Sequence, residues 1–228
     1  AGAAVAGRLS DRWGRRRLLI GAGVAFFVGS LAAGAAPSIA VLIVARLVLG
    51  LAIGVAGMVA PLYISETADA ARRGALVATY QLAITLGIVG AYGVGYALAD
   101  GGQWRLMFAT GSVPALVLLI GAVIIPESPR WLVFNDQVDK ARAILVRLRG
   151  GDVNQAETEL AEIQSVSTDH HARRWGELLA PTVRPAVIAA LGLYLLQQFS
   201  GINAVIYYAP IIFSAAGVES SSSALLAT

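Results

Sequence analysis

Cysteine is absent from the chain, which excludes disulfide frameworks and thiolate metal sites and leaves nothing to read about redox compartment. Charge is scarce as well: 14% of the 228 residues are charged, against roughly a quarter in an ordinary soluble domain. The histidines, His170 and His171, stand together in a charged loop without a ligand-spaced partner, so a solvated pair is expected rather than a metal site or pH switch. Acids are missing from every apolar run. Asp11, Glu66 and Glu127 each sit at the end of such a run among arginines, where ion pairs between helix ends are the expected role. No nucleophile, base and oxyanion set accompanies them, so an enzyme is not indicated, and neither is a cofactor or a metal. The basic residues lie between apolar stretches rather than in one patch, which gives nucleic-acid binding little support.

What remains is apolar. Hydrophobic residues make up 57% of the chain, and uncharged runs cover 18–45, 47–65, 74–99, 106–126 and 185–218. Each can hold a helix of the roughly 20 residues needed to cross a bilayer. Backbone polar groups find no water in hydrocarbon, so spanning segments are helices or closed barrels, and strand-type alternation is lacking here. The expected fold is all-α, a polytopic transmembrane helical bundle. The reading places a helix tail at about 1–8, spans at about 18–36, 39–64, 75–98, 105–125 and 185–214, and a new span beginning near 222. Gly50 with Gly54, and Gly87 with Ala91 and Gly95, have the small-xxx-small spacing that lets membrane helices approach closely.

Lys and Arg are distributed unevenly. Of the seventeen, fifteen fall in segments on one side of the predicted bilayer, Arg105 falls on the other and Arg46 lies inside a span. That asymmetry predicts that the first loop is cytoplasmic. Residues 126–183 then lie on the same cytoplasmic side. Within them Val138, Ala141, Leu145 and Leu148 form one helical apolar stripe, and Val153, Ala156, Leu160 and Ile163 form another. Gly150-Gly151 separates the two, and Asp152 followed by Gln155 is a helix-start signal. A pair of short amphipathic helices is expected, packed on helix ends or headgroups.

Two spans hold groups that lipid excludes. Arg46 lies about two turns into its helix, where a charge costs roughly 2.5–3.5 kcal/mol. It is expected either to face protein or water opposite an acid or polar substrate, or to snorkel to the outer headgroups. The second feature is a cluster in one uncharged run: Gln197, Gln198, Ser200, Gly201, Asn203, Tyr207, Tyr208 and Pro210. Carboxamides donate and accept at once, as neighbouring hydroxyls do, and carry no charge, so a neutral polyol is the matching ligand. On an unbroken helix Asn203 would face about 120–140° away from the glutamines. A break at Gly201 is therefore predicted, a device common at transporter binding sites. Gln81, alone in another span, either faces the same cavity or serves as interhelical glue.

Several of these segments resemble the sugar-porter family of the major facilitator superfamily. GRLSDRWGRRR at 7–17 is similar to its loop between helices 2 and 3, and GLAIGVAGMVAPLYISETADAARRG at 50–74 to its fourth helix and following turn. PESPRWL at 126–132 resembles the stretch after helix 6, and QQFSGINAVIYYAP at 197–210 resembles helix 7. The resemblance implies a major-facilitator bundle of which this chain is a fragment. Residues 1–125 correspond to the end of helix 2 through helix 6, residues 126–183 to a cytoplasmic linker with the intracellular helices, and residues 184–228 to helix 7 and the start of helix 8. It implies that Gln81, Gln197, Gln198 and Asn203 bind sugar hydroxyls and that Tyr207 and Tyr208 line or gate the cavity. Arg46 matches the arginine that works beside a first-helix aspartate in proton-coupled members. Asp11, Arg12, Arg15, Arg16, Glu66, Arg73, Glu127 and Arg130 match a cytoplasmic charge network that latches the two halves.

The implied activity is transport of a monosaccharide or polyol across the cytoplasmic membrane by alternating access, with protons as a second partner in coupled members and the bilayer as surroundings. A sugar sensor that binds without transporting, and a transporter of other small solutes, stay open at this point.

Overall fold

In the computed structural model, residues 2–99, 101–168, 181, 183–201, 204, 208 and 211 are described. The expected Asn203 and Tyr207, the pair His170 and His171, and the span near 222 lie outside the described residues. Ten helices follow one another among those described: α1 (Gly2–Trp13), α2 (Arg15–Gly34), α3 (Ile39–Thr67), α4 (Ala70–Ala99), α5 (Trp104–Thr110), α6 (Ser112–Ile124), α7 (Pro129–Phe134), α8 (Val138–Leu148), α9 (Val153–Thr168) and α10 (Arg184–Phe199). No strand occurs among the described residues. Among the described residues four stretches are long and apolar enough to cross a bilayer: α2, α3, α4 and the nearly continuous α5 and α6 over Trp104–Ile124.

Helix α2 is the centre of the bundle, packed against α3 on one side and α5 and α6 on another, with α1 lying on α3. Small residues set the α1–α3 contact. A Cβ on Gly54 would stand 3.2 Å from the Gly2 Cα, and one on Gly2 would stand 2.6 Å from the Leu51 carbonyl oxygen. The predicted close packing holds at Gly54 but not at Gly50 or Gly87, where a Cβ would meet open space. Those two lie on faces that no described helix covers, and no described side chain of α4 is buried. The expected single span over 105–125 is present as Trp104–Ile124, with a local turn at Gly111, where a Cβ would come within 2.9 Å of the Ser30 hydroxyl.

Residues 129–168 build a small helical unit of their own. Ser128 caps α7 by accepting from the Trp131 amide at 3.3 Å, and Asp152 caps α9 by accepting from the Gln155 amide at 3.0 Å. Trp131, Leu132 and Val133 of α7 pack on Ala141 and Leu145 of α8 and on Ala156, Leu160 and Ile163 of α9. The amphipathic pair is thus present, and its apolar faces bury against α7 rather than against lipid. Val153 departs from its expected stripe and is exposed. The separating glycines have φ of 66° and 94°, the left-handed region that turns the chain between α8 and α9. Arg149 anchors this unit to the bundle: it pairs with Glu159 through two nitrogens, each 2.8 Å from a carboxylate oxygen, and donates to the Thr67 carbonyl at the end of α3 at 3.3 Å.

Helix α10 stops at Phe199, and Gly201 has φ of 73°. The chain is helical again at Ala204, Tyr208 and Ile211. The predicted interruption is present at the predicted glycine.

Candidate functional site

The arginine-rich end of the bundle gathers residues far apart in sequence. Arg15, at the first turn of α2, is 5% exposed, and a charge so buried needs a counter-charge and filled hydrogen-bond sites. Both are supplied by Glu66 near the end of α3, which accepts from Nε at 2.9 Å and from Nη2 at 2.8 Å in the two-point geometry that suits a guanidinium. The third nitrogen donates to the Ser10 carbonyl at 3.1 Å and lies 3.2 Å from the Asp11 carboxylate. Ser128 donates its hydroxyl to Glu66 at 2.6 Å, which joins the residues after α6 to the same pair.

Glu127 behaves differently from the ion-pair expectation. Its Oε1 accepts from the backbone amides of Arg15 at 2.9 Å, Arg16 at 3.0 Å and Ser128 at 3.0 Å. The first turn of α2 holds no acid of its own, so a carboxylate from the segment after α6 accepts from its orphan amides and meets the positive end of the helix dipole. Gly14 makes room: with φ 92° and ψ 158° it occupies a region open essentially to glycine alone, and a Cβ there would run into the Glu127 carboxylate. Arg16 returns the contact by donating to the Val123 carbonyl at 2.6 Å at the end of α6.

Beside this cluster lies a cleft of about 590 Å³ bordered by Asp11, Arg15, Glu66, Arg73, Arg130 and Trp131 among others. Arg12, Arg73 and Arg130 are exposed, and none makes an ion pair with a described residue. The structure therefore joins Asp11, Arg15 and Glu66 by ion pairs, ties Glu127 and Arg16 to the same helix ends by backbone contacts, and leaves Arg12, Arg73 and Arg130 exposed, the last two at the border of the cleft.

The carboxamides are less closely grouped. Gln197 and Gln198 lie in the last turn of α10 directly before the break, both exposed, and Gln198 donates to the Tyr194 hydroxyl at 3.0 Å. Gln81 is exposed on α4, and α4 and α10 share no extensive packing among the described residues. Tyr208 is exposed beyond the break. No group of three or more metal-ligating side chains occurs among the described residues.

Comparison with known proteins gives this arrangement a context. A model of the family described as sugar (and other) transporter matches residues 1–228. The chain belongs to this family. It is 40% identical to a D-xylose transporter of Levilactobacillus brevis over 98% of this chain and 49% of that protein. It is also 40% identical to a galactose-proton symporter of Escherichia coli K12, covering 100% of this chain and 49% of that one. Among solved structures, the major-facilitator proton:xylose symporter XylE bound to 6-bromo-6-deoxy-D-glucose superposes with a TM-score of 0.85 at 34% identity, over 99% of this chain and 52% of that one. The chain thus spans about half the length of the relatives it matches, and its helices are those of a multi-pass membrane protein with the major-facilitator fold.

Within this chain the structure adds residues that sequence reading passed over. Ser128, buried completely, bridges Glu66 and the α7 cap, and Trp131 donates its indole N–H to the Asp11 carbonyl at 2.8 Å. Phe108 lies under Arg46, with the guanidinium carbon 5.3 Å from the ring centroid. Ser128 and Trp131 stand inside the PESPRWL segment and could have been weighed there. Phe108 sits in an ordinary apolar run and carries no local signal.

Proposed function

We propose that the intact protein moves a monosaccharide or related polyol across the cytoplasmic membrane by alternating access, with no covalent chemistry. The observation that carries this reading is the pair Gln197 and Gln198 on the last turn of α10, immediately before an interruption at Gly201 in an otherwise apolar helix. Neutral donors and acceptors at a helix break suit a hydroxyl-rich, uncharged ligand. The match to the sugar transporter family along the whole chain and the sugars for which two relatives are named, xylose and galactose, support it further.

In this reading Gln81, Gln197, Gln198 and Asn203 contact the sugar, and Tyr207 and Tyr208 border its route. The arginine-rich end is cytoplasmic. There Arg15, Glu66 and Asp11 form the fixed half of a latch, while Arg12, Arg73 and Arg130, which have no ion-pair partner among the described residues, take partners from the second half of the transporter. Residues 1–125 belong to one half, 126–183 form the connecting cytoplasmic unit, and 184–228 begin the other half. Arg46 is the coupling cation for proton-driven uptake.

Titration of the purified full-length protein with D-xylose, D-galactose and D-glucose tests the site. Gln198→Ala removes a donor and an acceptor, and two lost hydrogen bonds at about 1 kcal/mol each correspond to roughly a tenfold or larger loss of affinity. The variant should reach the membrane in parental amounts. Parental sugar affinity in Gln198→Ala would remove α10 from the site.

A further inference from the structure

Arg46 stands about two turns into α3 within a bilayer-spanning helix, and no described carboxylate pairs with it. Its guanidinium instead lies over the ring of Phe108 on α5, 5.3 Å from the centroid, inside the distance of about 6 Å at which a ring face attracts a cation. Phe108 also packs against a second ring. It meets Trp104 edge to face, with centroids 6.3 Å apart and planes at 80°. Trp104 carries the guanidinium of Arg105 over its own ring at 4.7 Å, and Arg105 donates to the Ala36 carbonyl at 3.2 Å. One turn further on, Gly111 is pressed against Ser30 so closely that a Cβ would stand 2.9 Å from its hydroxyl. The ring is thus part of a fixed ladder, and Arg46 is the long, adjustable partner.

A ring face differs from a carboxylate as a partner for arginine. The five N–H donors of a guanidinium lie in its plane, so a cation resting on a π-face is stabilised without spending them. Arg46 stays charged, as arginine does throughout, and keeps its donors for an acid or a hydroxyl presented from elsewhere. We propose that Phe108 is a positioning residue that holds the Arg46 guanidinium at working height, donors free, between encounters with the proton-carrying acid. The inference rests on the reading of Arg46 as the coupling cation given above.

The test uses the full-length protein in proteoliposomes, comparing proton-driven sugar uptake with gradient-free sugar exchange. Phe108→Leu keeps apolar bulk and removes the ring; Phe108→Tyr keeps the ring. The expected result is a maximal rate of proton-driven uptake about three- to tenfold lower in Phe108→Leu, with the sugar KM and the exchange rate unchanged. Phe108→Tyr should recover the rate, and Phe108→Leu should do nothing more in an Arg46→Leu background. Equal losses in the Leu and Tyr variants, a parental rate in Phe108→Leu, or a further loss in the Arg46→Leu background would each overturn the proposal. Parental uptake indifferent to the proton gradient would remove the coupling reading itself, a result separable from failure of the Phe108 variants in a gradient-dependent parent.

Discussion

Removing Glu66 probes the buried pair at the arginine-rich end. In Glu66→Ala the Arg15 side chain, 6% exposed, keeps the Ser10 carbonyl and, as counter-charge, only the Asp11 carboxylate at 3.2 Å, and Asp11 is itself 75% exposed. A solvated carboxylate offers little compensation, since exposed pairs contribute about 0–1 kcal/mol. Breaking a buried pair from one side costs about 3–5 kcal/mol, most of it the desolvation of the charge left behind. The double variant Arg15→Met, Glu66→Leu eliminates that orphan charge. It leaves the Ser128 hydroxyl and the Ser10 carbonyl without these partners, about 1 kcal/mol each, so the double variant should be more stable than Glu66→Ala. Chemical unfolding of the full-length protein in mixed micelles reads both. A loss under about 1 kcal/mol in Glu66→Ala, or a double variant less stable than the single, would refute the assignment of stability to a neutralised buried charge.

Gly14→Ala should destabilise by about 1–3 kcal/mol, because alanine must adopt a glycine-only backbone region and its Cβ meets the Glu127 carboxylate; a lowered thermal midpoint checks it. Leu145→Ala empties a site that is 0% exposed and should cost about 2–5 kcal/mol within the unit of α7, α8 and α9. Limited proteolysis should then cut within residues 138–168 sooner than in the parent, while sugar affinity stays the same.

Local patterns were readable because each needs only one segment. The apolar runs located the spanning helices, the Asp152 signal marked the start of α9, and the mismatch between the glutamines and Asn203 on a straight helix pointed to the break at Gly201. What escaped depends on partners distant in the chain. Glu127 looks like one more acid among arginines until α2 is seen to lack an acid in its own first turn, a need met from a residue more than a hundred positions away. The close approach of Gly111 to Ser30 and the contact of Phe108 with Arg46 each involve a partner on another helix. Gln81 shows the same limit from the other side. Its polarity in an apolar span was plain, yet one segment does not say what it faces, and in the structure it is exposed on α4.

The most direct measurement of the central claim is counterflow in proteoliposomes holding the full-length protein, preloaded with unlabelled D-xylose or D-galactose and diluted into labelled sugar. Alternating access around a carboxamide site predicts transient accumulation of label above its outside concentration, reduced in Gln198→Ala. Saturable sugar binding by the same protein with no counterflow would contradict transport and leave a sugar-binding membrane protein of another kind.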